Sequence, residues 1–160
     1  MTDVSDQGSV ATATRDGEDF LVPVDYENPG DFRSYVDWPD GRRRPFCVLD
    51  TVGIDVFWPI VEATGTHIVR FRYKHLGVKS TVEAVRNRLT GQERFPDPTE
   101  VKAFFCAFPD EKQRDVVAFS GRARFDRVVC VHTSFGELQS RLYTEATWAE
   151  TYNFLVVVET

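Results

Sequence analysis

The stretch HIVRFRYK, residues 67–74, shows the clearest alternation of apolar and polar side chains in this chain. Successive side chains of a strand point to opposite faces, so alternate residues share a face. One predicted face is apolar and consists of Val69, Phe71 and Tyr73. The opposite face carries one isoleucine and three bases, namely Ile68, Arg70, Arg72 and Lys74. The stretch therefore predicts a strand with one face in the core and a basic face opposite.

Apolar runs upstream of this strand predict further strands. Residues 20–24 (FLVPV), 46–50 (FCVLD) and 54–61 (IDVFWPIV) are such runs, and turn-forming residues separate the first two. Proline cannot donate a hydrogen bond to a sheet ladder, so Pro23 places the first strand at an edge or irregularity.

Three helices are predicted downstream from their start signals. Ser80 with Glu83 forms a capping box, and Ser134 with Glu137 repeats the pattern. Residues 97–100 (DPTE) offer an N-cap aspartate, a proline at the first helical position and an acid two residues later. The apolar stripe of this middle helix consists of Val101, Phe104, Phe105 and Phe108. It is the strongest of the three patterns because the stripe has full helical spacing.

Strands are again predicted between and after the helices. Residues 115–125 alternate, residues 127–133 are apolar enough for burial on both faces, and the LVVV run ends the chain as a strand. Strands followed by helices favour an α+β fold with a mostly antiparallel sheet of seven or eight strands and two or three short helices. We expect an extended acidic N-terminal arm over residues 1–19 and a single α+β domain over residues 20–160.

Charge is divided unevenly near residue 40. Residues 1–40 carry ten acids and two arginines, whereas the rest of the chain carries 15 acids and 17 bases. The acids of the arm are Asp3, Asp6, Asp16, Glu18 and Asp19. Residues 2–19 are too polar to offset their own ordering entropy, so an isolated arm should be disordered. An acidic arm on a mildly basic body suggests that the arm binds a basic surface, its own or a neighbour's.

The candidate basic surface lies between residues 66 and 94, where seven bases accompany two acids. These bases are Arg70, Arg72, Lys74, Lys79, Arg86, Arg88 and Arg94, and a second cluster consists of Arg42, Arg43 and Arg44. Such a surface is a solvated sheet face, a site for the arm or a neighbouring subunit, or a site for nucleic-acid phosphates. The pI of about 5.1 weighs against nucleic acid.

No motif identifies a reaction or a cofactor. The chain lacks a phosphate-binding glycine loop, and Ser134 near His132 is not set in a nucleophile elbow. Cys130 and His132 share a strand face but are too far apart for direct hydrogen bonding. His67 and His75 are eight residues apart and have no metal-ligand spacing. We therefore predict no catalytic, cofactor-binding or metal-binding residues.

The three cysteines indicate the compartment. Cys47, Cys106 and Cys130 are an odd number and each lies beside apolar residues, as is typical of buried reduced thiols. The alternatives are a disulfide between two of them or a reactive thiol. No apolar run reaches the length of a membrane span, and the first residues do not resemble a signal peptide. We expect a location in the cytoplasm or in a virion, without a membrane partner.

These patterns favour a non-enzymatic structural subunit of a homo-oligomeric or multi-protein assembly. Small α+β subunits with arms suit virus particles, including the head–tail and tail rings of tailed phages, and arm exchange is a low-cost way to join copies. The expected partners are other copies of the chain or neighbouring assembly proteins. The alternatives are a small-ligand binder or hydrolase-type enzyme with an aromatic-lined pocket, and a nucleic-acid-binding adaptor.

Overall fold

A computed structural model describes most of the chain. The described residues are 12–28, 35–37, 41–45, 48–49, 61–119, 128–143 and 147–159. Several sequence predictions lie outside them, namely Asp3, Asp6, Cys47, nearly all of the predicted strand 54–61 and the second half of the predicted strand 115–125.

The described segments form thirteen strands, two α-helices and one 3-10 helix. The strands are β1 (Thr14–Asp16), β2 (Asp19–Asp25), β3 (Tyr35–Asp37), β4 (Arg43–Pro45), β5 (Val48–Leu49), β6 (Thr66–His75), β7 (Ser80–Thr81), β8 (Glu93–Arg94), β9 (Val116–Phe119), β10 (Val128–Ser134), β11 (Glu137–Tyr143), β12 (Thr147–Trp148) and β13 (Asn153–Val158). The helices are α1 (Val82–Asn87) and α2 (Pro98–Ala107), and the 3-10 helix is η1 (Pro109–Gln113).

Nine of these strands form one large sheet in the order β1-β2-β6-β13-β9-β10-β11-β5, with β8 beside β13 past the end of β9. The β13–β9 and β11–β5 pairs are parallel, and the other described pairs of this sheet are antiparallel. Two small sheets pair β7 with β12 and β3 with β4. The structure thus confirms an α+β fold with a mostly antiparallel sheet and few helices.

Strand β6 forms as the alternation predicts and lies between β2 and β13. Val69 and Phe71 are buried, as expected for the apolar face. Pro23 also lies where predicted. Strand β1 pairs only with the first three residues of β2, so the described strand beside Pro23 is β6 on one side.

Helix α2 begins with the predicted capping box. Asp97 Oδ1 accepts a hydrogen bond from the Glu100 backbone N–H at 2.8 Å, and Glu100 Oε1 accepts one from the Asp97 N–H at 2.8 Å. The ring of Phe104 meets the rings of Phe20 and Phe71 at centroid distances of 4.9 and 5.3 Å. The helix therefore buries its aromatic stripe against β2 and β6.

Helix α1 begins one residue later than the sequence predicts. Its N-cap is Thr81, whose Oγ1 accepts a hydrogen bond from the Ala84 N–H, so the prediction of Ser80 as the cap is wrong. Ser80 is paired with Trp148 between β7 and β12, and its hydroxyl donates to the Val78 carbonyl. This strand pairing keeps Ser80 extended and moves the first helical turn along the chain.

The predicted helix at residues 134–137 is also wrong, because this segment is the tip of the β10–β11 hairpin. Phe135 and Gly136 form a two-residue turn with φ values of 51° and 78°, as a type I′ turn requires. Leu138 is buried on the following strand, β11. Leu138 and Leu142 are four residues apart, a spacing that fits one face of a strand as well as one face of a helix.

The core is divided between the two faces of the large sheet. The face covered by α2, called the α2 face, contains Phe20, Phe71, Phe104 and Leu155. The other face, called the α1 face, contains Val85 of α1 packed with Phe154, Trp148 and their neighbours. The β6 arginines alternate with the residues of the α2 face, so they lie on the α1 face.

No described helix has the length and apolar character needed to cross a membrane.

Candidate functional site

A strip of charged side chains runs across the α1 face on β1, β2 and β6. The alternation of β6 places Arg70, Arg72 and Lys74 in a row on this face. Arg70 lies opposite Leu21 of β2, and Arg72 lies opposite Val156 of β13. The basic residues of β6 thus lie within the sheet interior, with strands on both sides.

The β1–β2 hairpin brings two acids of the predicted arm onto the same strip. Asp16 and Asp19 are register partners, and the turn between them consists of Gly17 and Glu18. Gly17 has a φ of 62° at the first turn position, which is the requirement of a type II′ turn. The tight turn therefore places the two carboxylates side by side next to β6.

Asp19 is the centre of the strip. Its Oδ1 accepts a hydrogen bond from Arg72 Nε at 2.6 Å, and its Oδ2 accepts bonds from Arg72 Nη2 at 2.9 Å and Arg70 Nη1 at 2.7 Å. Arg70 Nη1 also donates to Asp16 Oδ2 at 3.0 Å. The Asp19 side chain is only 8% exposed. One nearly buried carboxylate thus binds two guanidinium groups, and it binds Arg72 in the bidentate geometry of strong ion pairs.

These contacts shift the ionisation of both partners. Hydrogen bonds from Arg72 and Arg70 outweigh the cost of burial and lower the pKa of Asp19 from 3.8 to about 2. The Asp19 carboxylate in turn raises the pKa of Arg70 and that of Arg72. The strip is therefore held in its charged form by its own partners.

Lys74 continues the strip and is also paired. Its Nζ lies 2.8 Å from Glu93 Oε1, and the Glu93 side chain is only 5% exposed. Burial would raise the pKa of Glu93, but hydrogen bonds from Lys74 and from the Thr90 N–H lower it overall. All three predicted bases of β6 are consequently neutralised within the chain.

A second polar cluster lies at the end of the sheet where β2 and β13 finish. Glu100 is fully buried and accepts bonds from Arg94 Nη1 at 2.8 Å, Arg94 Nη2 at 2.7 Å and the Tyr26 hydroxyl at 2.6 Å. Arg94 Nε is also 3.3 Å from Glu159 Oε1. Burial disfavours the charge on Arg94, but Glu100 outweighs this effect and raises its pKa. Burial and Glu100 together raise the pKa of Tyr26.

A cleft of about 580 Å³ opens beside this cluster. Its apolar lining includes Leu21, Ile68, Val157 and Val158, and its polar lining includes Arg70 and Arg94. Ile68 is 52% exposed, which is unusual for a large aliphatic side chain on a central strand. We call this feature the cleft. It combines an open apolar surface with charges that already have partners.

The remaining predicted bases are not gathered on the strip. Arg86 pairs with Glu83 on α1, and Arg94 turns toward Glu100. Lys79 precedes β7, and Arg88 follows α1 as its C-cap. Arg42, Arg43 and Arg44 belong to the separate β3–β4 region, where Asp37 is the register partner of Arg43 and Val36 that of Arg44. The structure thus brings together Arg70, Arg72 and Lys74 on one strip, and Arg94 lines the cleft beside Arg70.

Of the predicted acids of the arm, Asp16 and Asp19 join the strip, whereas Glu18 lies exposed in the turn. Sequence reasoning missed Glu93, Glu100 and Tyr26 as partners of bases. The capping box did identify Glu100, but only as a helix-start residue. Its second role depends on Arg94, six residues earlier, and on Tyr26, whose proximity only the fold creates.

The described residues also include two thiols and several potential metal ligands. Cys130 is buried as predicted, whereas Cys106 is exposed, so the prediction of burial is wrong for Cys106. Cys106 falls outside the stripe of α2 that faces the sheet, which explains its exposure. Within the described segments, no group of three or more potential ligands could hold a metal ion.

Neither a family model, nor a curated protein, nor a solved structure matches this chain. We therefore infer function from the geometry of the strip and the cleft.

Neutralisation of the strip leads to a prediction for polyanion binding. Joint replacement of Asp16 and Asp19 by asparagine should release Arg70 and Arg72 and increase retention on heparin, because freed guanidinium groups bind phosphate or sulfate charges. The matched control is Asp25→Asn with Glu27→Gln, which changes the net charge equally at the other end of β2. Equal retention of the two double variants would show that net charge alone controls binding.

Proposed function

We propose that this protein is a non-enzymatic structural subunit of a homo-oligomeric or multi-protein assembly, of the type found in virus particles, including tailed-phage head–tail or tail rings. Its acidic N-terminal segment binds the basic face of β6, and in the assembly this segment belongs to a neighbouring subunit. The observation that carries the proposal is the set of hydrogen bonds that joins Asp16 and Asp19 to Arg70 and Arg72.

The form of this contact supports the proposed exchange of the segment between subunits. Within one chain, Asp16 reaches the strip from β1, which has only three residues, all of them exposed, whereas Asp19 lies on β2 and stays paired with β6. A short element of this kind is released at low cost and can form identical contacts on a second copy. The charges fix the register of the exchanged segment, because like charges placed opposite each other would repel.

The two alternative functions have less support. The cleft favours a small-ligand binder, but its described rings are Tyr26 and His67, and Tyr26 already donates to Glu100. A nucleic-acid adaptor requires free bases, whereas Arg70, Arg72 and Lys74 are bound to carboxylates. Phosphate contacts would have to displace these ion pairs.

The mass of the particle in solution tests the proposal. We expect light scattering to give a mass of more than one chain for the full protein, and a smaller mass for a variant that lacks residues 2–18. This deletion removes β1 but keeps Asp19, so the nearly buried pair with Arg72 survives. Higher salt should also reduce the mass of the full protein, since screening weakens exposed ion pairs.

A control separates loss of the segment from loss of stability. The thermal midpoint of both proteins is measured in parallel, and Glu83→Gln, which breaks an exposed ion pair on α1, should leave the mass unchanged. A single-chain mass for the full protein over the whole accessible concentration range would contradict the proposal.

A further inference from the structure

The tip of the β10–β11 hairpin presents an unusual side chain. Phe135 is fully exposed, with a relative accessibility of 105%, and has a φ of 51°. Aromatic residues rarely adopt positive φ, and the first position of a type I′ turn favours asparagine, aspartate or glycine. Neither local conformation nor burial accounts for a phenylalanine here.

The tip is also held in place. The side-chain amide of Gln113 from η1 lies against Gly136, so closely that a Cβ added to the glycine would meet Gln113 Nε2 at 2.9 Å. The turn is therefore packed on the body of the protein, and Phe135 projects from a supported base. Because the backbone next to Phe135 is already held, ordering of the turn adds little to the cost of binding, which favours a role as an anchor.

Phe135 and the cleft lie at opposite ends of the large sheet. Strand β9 runs parallel to β13 and antiparallel to β10, so β10 ends where β13 begins. The cleft includes Val157 and Val158 at the other end of β13. Five residue steps of about 3.3 Å separate the two ends of this strand, so Phe135 cannot reach the cleft of its own chain.

We propose that Phe135 of one subunit inserts into the cleft of a second copy of this chain. The inference rests on the proposed assembly function and names a contact that would join the subunits. The cleft, at about 580 Å³, has room for a phenyl ring, and Ile68, Leu21 and Val158 offer it apolar contacts. Buried aromatic anchors of this kind supply much of the affinity of protein interfaces.

The proposed contact is apolar, because Arg70 and Arg94 at the cleft are already paired with carboxylates of their own chain. Because anchor and cleft lie on different parts of the subunit, the contact is head to tail. Repetition of such a contact gives a ring if the rotation closes, and a filament if it does not.

Phe135→Asn is the first test, made in the full chain. Asparagine before Gly136 suits a type I′ turn, so the thermal midpoint should rise or stay unchanged. Loss of the anchor should raise the dissociation constant of the assembly roughly tenfold or more, measured by sedimentation velocity over a concentration series. The matched control is Val78→Asn, which removes another exposed apolar side chain and should leave association unchanged.

Changes in the cleft provide the second test. Ile68→Asp should weaken association as strongly as Phe135→Asn, and Ile68→Thr, which keeps a β-branched strand residue, is measured in parallel in case the charged variant does not fold. An equimolar mixture of Phe135→Asn with either cleft variant should form dimers, because one intact anchor and one intact cleft remain. Each variant alone should associate roughly tenfold or more weakly than the native chain.

The outcomes distinguish this contact from the assembly itself. A full chain that assembles equally well with Phe135→Asn and with the folded cleft variant overturns the contact and leaves the assembly proposal standing. A full chain that is monomeric at every concentration overturns both.

Discussion

Replacement of Glu100 by alanine is expected to lower the free energy of unfolding by about 3–5 kcal/mol. Glu100 is fully buried, and its carboxylate accepts four hydrogen bonds from Arg94, Tyr26 and the Asp97 backbone. Alanine would leave the Arg94 guanidinium with its contact to Glu159 and would leave the Tyr26 hydroxyl without its acceptor. Removal of one partner of a buried pair is costly because the other charge stays away from water.

Urea denaturation of the native chain and of the alanine variant measures this effect. The matched control is Glu83→Ala, which removes the same side chain from a pair with Arg86 at a position that is 60% exposed. Exposed pairs of this kind contribute about 0–1 kcal/mol, so the control should change stability little. Equal losses in the two variants would contradict a special role for the buried cluster.

A glutamine substitution at Glu100 separates the contribution of charge from that of side-chain shape. Glu100→Gln keeps the size of the side chain and the amide oxygen that can accept from the Asp97 N–H, so the helix cap should survive. It removes the negative charge that faces Arg94. We therefore expect Glu100→Gln to lie between the native chain and Glu100→Ala in stability.

The parts of the fold that sequence predicts best depend on local patterns. The alternation of residues 67–74 defines a strand because burial on one face fixes the register. Residues 97–100 define a helix start because the cap residue and its donor are three residues apart. Neither prediction requires knowledge of the rest of the chain.

The predictions that fail are those in which a local pattern competes with pairing elsewhere. Ser134 and Glu137 have the spacing of a capping box, but they are also register partners across a two-residue turn. Ser80 fits an N-cap, but its pairing with Trp148 keeps it extended. Strand pairing determines the conformation in both cases. Ser134 pairs with a residue three positions away, whereas Ser80 pairs with a residue that is distant in the sequence.

The sequence predicts most of the charged residues that take part in the candidate site, but it does not predict which of them pair with each other. The count of charges identified an acidic segment and a basic strand as complementary, and Asp19 does bind Arg70 and Arg72. The partner of Lys74, however, is Glu93, an acid inside the predicted basic region. Net charge along the sequence averages over such pairs, because it ignores which residues the sheet places side by side.

Protonation of Asp19 should produce the second large effect, a loss of stability in acid. The pKa of Asp19 is about 2 in the folded protein and 3.8 without its partners. Because the folded value is the lower one, the contribution of Asp19 is complete above the unfolded pKa and is lost as the pH falls toward 2. The shift corresponds to about 2 kcal/mol.

Asp19→Asn should therefore unfold more easily at neutral pH by about 2 kcal/mol, and its stability should fall less between about pH 5 and pH 2. The difference between the native chain and the variant should shrink as the pH falls, because protonation removes the same charge that the substitution removes. Urea denaturation at a series of pH values measures both effects.

Asp16→Asn provides the comparison for this experiment. Asp16 contacts Arg70 on the same strip, but its side chain is 60% exposed, so its loss should cost no more than about 0.5 kcal/mol at any pH. If the two variants showed parallel pH profiles with equal stability, the strip would be an ordinary solvated set of ion pairs. If stability depends less on pH in Asp19→Asn but not in Asp16→Asn, the shielded carboxylate of Asp19 is the group that holds β2 to β6. Asp16 contributes little because solvent screens its exposed carboxylate.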